Sequence, residues 1–407
     1  MGKKNQGIKK SRLSCALLLL LCVAAIFTGV CDYMVPSRIS VRAASDAVRL
    51  APGISLHTEE ALPAMETVGS LGGDVITVGA EAKLFGVLPL KAVDVSIYRD
   101  VKLIPGGMPF GVRLYCDGVL VVDVGDVPCG GGTVSPARDA GIHAKDMITE
   151  INGQRITSVD EVVSAVTASN GQALTLTVRR SGNDQTLTIQ PVQSDEDGKY
   201  KTGLWIRDST AGIGTVTYID GETGCFAGLG HGICDADTGE LLPLSRGTIV
   251  NVSISGVVKG QAGLPGELKG YFSSGKIGTL LGNTECGVHG IFAELPAGIC
   301  SQAIPIALAD EVCEGDAELW CTTDSGGVGR YKVRISNIDR SGRSVKNYVV
   351  TVTDPMLLEK TGGIVQGMSG SPLVQNGRLI GAVTHVLISD PAKGYGIFIE
   401  NMLNAAA

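Results

Sequence analysis

The stretch Gly362–Val386, GGIVQGMSGSPLVQNGRLIGAVTHV, decides how the second half of the chain can fold. It places Ser369 ahead of an apolar run, a polar turn at Gln375-Asn376-Gly377 and a second apolar run. Because glycine lets the backbone turn sharply, the pattern predicts a tight loop that opens a β-hairpin. In such a loop, adjacent N–H groups can hold an oxyanion while the Ser369 hydroxyl attacks a carbonyl. An ordinary glycine-rich turn between two strands is the structural alternative.

A second glycine-rich island, Gly228-Leu229-Gly230-His231-Gly232, lies far upstream. A histidine at the end of a strand and bracketed by glycines can act as the general base for Ser369. His289 and His385 are rivals for this role, and any one of these histidines can instead be a structural residue. Local sequence ranks His231 first because its glycine setting is the densest.

A catalytic triad also needs a carboxylate that fixes the imidazole tautomer. Asp354 precedes Ser369 by fifteen residues, whereas Asp235 and Asp237 closely follow His231. An aspartate directly before a proline, as at Asp354, is often a turn residue. Spacing alone therefore leaves the orienting carboxylate open among these three.

Composition favours a mainly β chain of several domains and excludes some functions. The 407 residues include 56 glycines and only 18% charged residues, and the net charge of −7 provides no basic face for nucleic acid. None of the eleven cysteines forms a CxxC pair, which disfavours a structural zinc site, and we expect no metal. Disulfides such as Cys313–Cys321 or Cys225–Cys234 and buried free thiols are both compatible with the spacing.

The N-terminal third divides into an anchor, a stalk and a short β segment. Residues 1–31 carry lysines before an apolar run from Leu13 to Cys31, which predicts a cytoplasmic tail and a transmembrane helix acting as a signal anchor. A cleaved signal peptide is the alternative. Residues 32–83 suit a stalk or linker, and residues 84–105 alternate as a short β segment would.

Residues 106–195 resemble a PDZ domain. Pro109, Phe110, Gly111 and Val112 resemble its carboxylate-binding loop, and residues 159–168 form an apolar-faced helix pattern ahead of a hairpin pattern. A PDZ domain binds peptides by adding a strand to its own edge, although one that only packs against its neighbours is the plainer alternative. Residues 196–407 contain short strands and glycine turns that suit two packed β-barrels.

Taken together, the anchor, LFGVLPLKAVDVSIYRDVKLIPGG, the PDZ segment, GLGHGICDADTG and the Ser369 stretch resemble the stage IV sporulation protein B peptidase family. The resemblance implies a chymotrypsin-like double β-barrel with the catalytic residues His231, Asp354 and Ser369. It supports His231 over His289, and it supports Asp354 where spacing did not decide. The N–H groups of Gly367 and Ser369 are then the expected oxyanion donors, and no cofactor is needed.

The family also implies a biological setting. The protein would be made in the forespore and held by one helix in its inner membrane, with the PDZ and peptidase domains between the forespore and mother-cell membranes. It would cleave a membrane-bound inhibitor of an intramembrane metalloprotease, which then processes pro-sigma-K. Self-cleavage and control by the PDZ domain are also expected.

Three alternative functions remain at this point. An HtrA-type quality-control protease also combines a peptidase with a PDZ domain, but its PDZ domain follows the peptidase. A carboxy-terminal processing peptidase would need a Ser–Lys pair, and the only lysine after Ser369 is Lys393, in a loop-like setting. A non-catalytic PDZ tether is the alternative from another class.

Overall fold

The computed structural model describes residues 35–42, 53–57, 75–296, 302–342 and 344–406, with a few helical positions between 22 and 30. Most of the predicted anchor and part of the predicted stalk lie outside these residues. Among the residues described, no helix combines the length and apolar character that a membrane span needs.

A small four-stranded sheet precedes the rest of the fold. Its strands are β1 (Arg38–Val41), β2 (Ile54–His57), β3 (Val75–Leu84) and β4 (Leu88–Tyr98), in the order β1-β4-β3-β2. Ala82, Val93 and Ile97 lie in its buried core with residues of β1. The β segment predicted at residues 84–105 thus continues a larger sheet, because β3 begins at Val75.

The next part of the chain contains two unusually long strands. Its elements are β5 (Lys102–Pro105), β6 (Pro109–Val124), β7 (Val127–Cys129), β8 (Gly132–Val134), α1 (Pro136–Asp139), β9 (Met147–Ile151), β10 (Gln154–Arg155), α2 (Val159–Ala168), β11 (Leu174–Arg180), β12 (Asn183–Ile189), β13 (Val192–Gln193), β14 (Tyr200–Lys201) and β15 (Leu204–Ile219). β6 and β15 pair antiparallel along almost their whole length. The predicted helix at residues 159–168 is confirmed, and a capping box between Ser158 and Glu161 fixes its start.

The first halves and second halves of these two strands belong to different structures. The end of β6 and the start of β15 form the PDZ unit together with β9, β11, β12, α1 and α2. The start of β6 and the end of β15 instead help to close a ring of six strands, which we call the first ring. The PDZ unit is therefore inserted between two strands of the first ring.

The first ring is completed by strands that follow β15. They are β16 (Cys225–Gly228), β17 (Leu244–Val258), β18 (Glu267–Thr284) and β19 (Gly287–Phe292), after which β20 (Ile304–Pro305) pairs with β5. The pairings run β6-β17-β18-β19-β16-β15 and return to β6. Phe226 lies at the centre of the ring, in a stacked contact with Phe292 and an edge contact with Phe110.

The C-terminal part forms a second closed barrel. Its elements are β21 (Gly315–Cys321), β22 (Gly329–Ser336), β23 (Tyr348–Val352), α3 (Pro355–Thr361), β24 (Pro372–Gln375), β25 (Arg378–Val386), β26 (Lys393–Phe398) and α4 (Ile399–Ala406). The strand order is β21-β22-β23-β26-β25-β24. The hairpin predicted around Asn376-Gly377 is confirmed, since both residues adopt positive φ and Gln375 pairs with Arg378.

The structure does not support Pro109–Val112 as a peptide-binding loop. These residues are buried in the first ring, where β15 pairs with one edge of β6 and β17 with the other. No edge is left to which a peptide could add a strand. The mainly β architecture with barrel-like sheets is as predicted.

Candidate active site

The segment of residues 362–371, here called the nucleophile loop, connects α3 to β24. Gly367 and Gly370 adopt φ values of +93° and +94°, so the backbone around Ser369 takes turns that favour glycine. A Cβ at Gly370 would lie 2.0 Å from the Thr215 carbonyl oxygen and 2.4 Å from the Leu229 nitrogen. The loop is thus pressed against the first ring, and only glycine permits this approach.

His231 follows β16 at the end of the first ring. Leu229 and Gly230 both have left-handed backbones, with φ of 67° and 68°, which turn the chain sharply before the histidine. A Cβ at Gly230 would meet Thr384 Cγ2 at 3.0 Å and the Val383 carbonyl oxygen at 3.3 Å. The turn that presents His231 therefore packs directly on β25 of the second barrel.

Ser369 and His231 both contact the part of β25 that contains its β-bulge. The register of β25 against β26 shifts between Val383 and Val386, and such bulges re-aim side chains. The Ser369 hydroxyl donates to the Thr384 carbonyl at 2.7 Å. The next residue, His385, places its ring 4.9 Å from the ring of His231, centroid to centroid. Ser369 and His231 thus both contact residues 384–385 of β25, although the described structure holds no hydrogen bond between them.

A main-chain carbonyl fixes the tautomer of His231. Its Nδ1 lies 2.9 Å from the Gly232 carbonyl oxygen. Because a carbonyl only accepts, Nδ1 must carry the hydrogen and Nε2 must present its lone pair. Burial lowers the pKa of His231 below its ordinary value, which keeps the ring in the basic, neutral form near neutral pH.

His385 is held neutral beside it. Burial, the neighbouring His231 and Lys346 together lower the pKa of His385 to about 4. Its Nδ1 is buried without a hydrogen-bond partner among the described residues. A neutral His385 adds no positive charge that would oppose protonation of His231 during a reaction.

Two backbone donors flank the Ser369 hydroxyl without internal acceptors. Within the described part of the chain, neither the Gly367 N–H nor the Ser369 N–H donates to a protein group, whereas the neighbouring Met368, Gly370 and Ser371 amides do. Thr215 of β15 binds the nucleophile loop through two hydrogen bonds. Its N–H donates to the Ser369 carbonyl at 2.9 Å, and its hydroxyl donates to the Gly367 carbonyl at 2.8 Å.

Sequence reasoning did not identify Thr215 or its neighbour Thr217, whose hydroxyl donates to the Gly370 carbonyl at 2.7 Å. A signal for them was present. Both are threonines at alternate positions of the apolar C-terminal part of β15, residues 211–219, so they lie on the same face of the strand. Buried polar residues on one face of a strand indicate hydrogen-bond partners on a neighbouring segment.

The three candidate carboxylates all point to other partners. Asp354 is the N-cap of α3 and accepts from the backbone of Lys332, Met356 and Leu357. Asp235 is buried, accepts from Thr238 and pairs with Arg207 at 2.5 Å. Arg207 also pairs with Asp237 at 2.8 Å. In the described residues, no carboxylate forms a hydrogen bond or ion pair with His231.

The remaining candidates lie apart from this arrangement. His289, on β19, rests its ring over Gly282, and burial lowers the pKa of His289. The cysteines in the described residues are all unpaired, including Cys225, Cys234, Cys313 and Cys321. No cluster of three or more potential metal ligands occurs within the ranges that the structure covers.

Two cavities lie near functional elements. One of about 190 Å³ borders His231 and is lined by Val112, Ile213, Leu229 and Ile233, so it suits an aliphatic side chain. The other, of about 680 Å³, lies in the PDZ unit between α2 and the edge of β15 at Leu204–Ile206, with Lys199 and Lys201 near it. We call this second cavity the PDZ groove.

A serine hydroxyl, a neutral imidazole and uncommitted N–H donors between two closed β-rings define the class of the serine peptidases. The chain belongs to the SpoIVB peptidase S55 family, whose profile matches residues 198–403. A PDZ-domain profile matches residues 130–180. The peptidase profile thus begins just before β15, while β6 of the first ring lies upstream of both profiles.

Similarity to individual proteins is more limited. The chain is 37% identical over 70 residues to the putative zinc metalloprotease LL2128 of Lactococcus lactis, which is 17% of this chain and 16% of that protein. It resembles the PDZ domain of the SdrC-like protein Lmo2051 from Listeria monocytogenes, with 27% identity, a TM-score of 0.19 and coverage of 22% of this chain and 87% of the other. For an inactive serine-to-alanine mutant of Rv3671c from M. tuberculosis, identity is 13%, the TM-score is 0.25, and coverage is 47% and 79%.

Proposed function

We propose that the protein is a membrane-anchored serine endopeptidase that acts in sporulation signalling. The observation that carries the catalytic part is the convergence of Ser369 and His231 beside two N–H groups that have no internal acceptor. Membership of the peptidase family supports the same activity.

In the proposed reaction, Ser369 is the nucleophile and His231 the general base. The Ser369 hydroxyl first rotates away from the Thr384 carbonyl, a change between staggered rotamers, so that it can donate to His231 Nε2. His231 takes the proton as Oγ attacks the scissile carbonyl, and later returns it to the leaving amine. The N–H groups of Gly367 and Ser369 bind the oxyanion, and a water molecule then releases the acyl group by the same route.

We propose the PDZ groove as the docking site for an extended segment of the substrate. Leu204–Ile206 of β15 pairs with β6 on one side, and its other side faces the apolar residues of α2 across the groove. A peptide that adds a strand there would place its alternate side chains against Val162 and Val166 of the helix. Asp126, Glu196, Lys199 and Lys201 line the polar part of the groove, so side chains of either charge can find a partner there.

We base the proposed biological role on family membership and on the N-terminal sequence. The proposed substrate is a membrane-bound inhibitor of an intramembrane metalloprotease that processes pro-sigma-K, with self-cleavage as a second reaction. The apolar run between residues 13 and 31 would anchor the protein in the forespore inner membrane, with its other domains in the intermembrane space. The insertion of the PDZ unit into the first ring disfavours an HtrA-type arrangement.

The proposed activity is tested with the full chain in detergent micelles, as wild type and as Ser369→Ala, with casein as the probe and mass spectrometry of all fragments. We expect wild-type cleavage and a loss on the order of 10⁶-fold in Ser369→Ala. Ser371→Ala is the matched control, because the buried Ser371 hydroxyl has no partner in the described structure and its removal should leave activity intact. Equal cleavage by wild type and Ser369→Ala would contradict the proposal.

A further inference from the structure

An apolar tip projects from the small N-terminal sheet. Residues 85–88, FGVL, here called the hairpin tip, connect β3 to the start of β4. Phe85, Val87 and Leu88 are 73%, 83% and 46% exposed, so three large apolar side chains within four positions face solvent. Phe85 has φ of +52°, a backbone region that bulky residues rarely occupy and that asparagine or glycine would adopt more easily. Such a cluster of exposed apolar residues indicates a surface that binds another molecule.

The charged side chains that flank the hairpin tip are basic. Between Ala82 and Val93 the only charged residues in the sequence are Lys83 and Lys91, one on each strand of the hairpin. Glu81, which lies 3.2 Å from Lys83, is further from the turn. Apolar residues bracketed by lysines are typical of segments that lie in the interface of an anionic membrane, because the apolar side chains reach the acyl boundary while the lysines remain among the headgroups.

The hairpin tip lies at the end of the sheet where the chain arrives from the predicted anchor. β1 pairs parallel with β4, with Arg38 opposite Asp94. Because the two strands run in the same direction, the chain enters β1 from the end at which β4 leaves the hairpin tip. Lys91 of β4 donates to the Val35 carbonyl at 3.2 Å, which holds the segment before β1 beside the hairpin.

The chain lengths on the two sides of this contact are similar. Cys31, the last residue of the apolar run, precedes Val35 by four positions and so lies at most about 14 Å from it. Leu88 precedes Lys91 by three positions, which is about 10 Å along β4. The two lengths differ by about 4 Å, which is less than one headgroup layer of about 5–8 Å. A membrane that receives the chain at Cys31 is therefore within reach of the hairpin tip.

We propose that the hairpin tip inserts into the headgroup layer of an anionic membrane. Its apolar side chains point toward the acyl chains, and the two flanking lysines contact lipid phosphates. This inference goes beyond the proposed peptidase activity and rests only on the proposed membrane anchor.

Docking at the hairpin tip also orients the peptidase. The Ser96 and Tyr98 hydroxyls of β4 both donate to the side-chain carbonyl of Asn404 in α4, at 3.1 and 2.8 Å. The sheet is therefore attached to the second barrel, from which the nucleophile loop extends. A chain held at both the anchor and the hairpin tip does not rotate about a single tether, so one face of the peptidase stays toward the membrane in which the proposed substrate lies.

Tryptophan fluorescence in lipid vesicles tests the docking. The full chain is reconstituted into vesicles of phosphatidylglycerol and phosphatidylcholine, with or without brominated acyl chains, which quench tryptophan on contact. Every sample carries Ser369→Ala, so that self-cleavage cannot detach the sheet from the anchor. Val87→Trp reports on the hairpin tip. Leu281→Trp is the matched control, because Leu281 is also an exposed strand residue, at 58%, but lies on β18 of the first ring.

The chain without either added tryptophan gives the background of Trp205 and Trp320. We expect brominated lipid to remove most of the emission that Val87→Trp adds and to leave the emission that Leu281→Trp adds unchanged. Quenching of Val87→Trp should fall when phosphatidylglycerol is replaced by phosphatidylcholine, because the two lysines then lose their anionic partners. Equal quenching in both lipids would overturn the assignment of an anionic surface.

The remaining outcomes separate the docking from the anchor. A chain that co-sediments with the vesicles but shows no more quenching in Val87→Trp than in Leu281→Trp overturns the docking and leaves the anchor intact. Blue-shifted emission of Val87→Trp without quenching means that protein, such as a second copy of the chain, covers the hairpin tip, and it also overturns the docking. A chain that does not co-sediment with the vesicles refutes the proposed anchor and the docking together.

Discussion

Replacing Thr215 with valine removes one hydroxyl beneath the nucleophile loop and keeps the shape of the side chain. Thr215 is 2% exposed, and its hydroxyl is the described donor to the Gly367 carbonyl, at 2.8 Å. The N–H of this same residue, Gly367, is one of the two proposed oxyanion donors. Thr215→Val should therefore disturb the placement of that N–H without touching Ser369 or His231.

The expected size of the effect follows from the lost bond. Leaving a half-buried acceptor such as the Gly367 carbonyl without its donor costs at most about 1–3 kcal/mol. If that energy appears as misplacement of the Gly367 N–H, kcat falls by roughly 5- to 150-fold, since about 1.4 kcal/mol is tenfold in rate. Loss of a complete oxyanion donor, about 10²–10³ in kcat, is the upper limit. KM should change little, because the oxyanion forms in the transition state.

The assay is steady-state cleavage of a peptide substrate, with unfolding followed by circular dichroism. Thr215→Ser is the rescue variant, because it keeps the hydroxyl, and it should retain most of the activity. Thr149→Val is the matched control, since it removes a comparable hydroxyl bond, 3.2 Å to the Thr177 carbonyl, within the PDZ unit. A Thr215→Val enzyme with wild-type kcat would refute the idea that this hydroxyl positions the donor.

Two further predictions concern pH. Burial lowers the pKa of His231, so the acid limb in the pH profile of kcat/KM should have its midpoint below the ordinary histidine value of 6.5. Rates measured from pH 4 to pH 8 test this, and a midpoint at or above 6.5 would contradict it. Burial also raises the pKa of Glu400 from 4.5 to about 7, so the stability due to its protonated form is present below pH 4.5 and lost as pH rises through 7. Glu400→Gln should therefore raise the free energy of unfolding at pH 8, by at most ~3 kcal/mol, and change it little at pH 4, as urea denaturation would measure.

The features that the sequence predicted well are those encoded by neighbouring residues. The hairpin after Ser369 follows from Asn376 and Gly377, which accept the positive φ values of a tight turn. The tight loop predicted around Ser369 follows from its glycines, since Gly367 and Gly370 adopt φ values of +93° and +94°. In both places a local rule about glycine predicted the local shape of the backbone.

The PDZ peptide site could not be predicted in the same way. Pro109–Val112 lies in a strand that passes from the first ring into the PDZ unit without a turn or a change of pattern. Whether an apolar strand has a free edge depends on partners far along the chain, here β15 and β17. Pairing over such distances is set by tertiary context, which a pattern of apolar residues does not specify.

Asp354 illustrates a different limit, because the local pattern was readable but had two interpretations. An aspartate before proline starts a helix, and an aspartate in a serine peptidase can orient a histidine; sequence alone does not rank these roles. The three backbone donors around its carboxylate favour the first role. The assignment of Asp354 as the orienting carboxylate by family resemblance remains a prediction, and Asp354→Asn should lower kcat by about 10⁴-fold if it holds.

β15 connects the proposed docking groove with the proposed catalytic site. Its first residues, Leu204–Ile206, form the edge of the PDZ groove, and Thr215 and Thr217 further along the same strand hold the nucleophile loop. Thr215 lies nine positions after Ile206, which in an extended strand is about 30 Å. Because β6 pairs with β15 over this distance, the PDZ unit cannot rotate freely against the first ring without breaking that ladder. A segment bound in the groove is therefore held at a fixed distance and direction from Ser369, unlike one bound by a domain on a flexible linker.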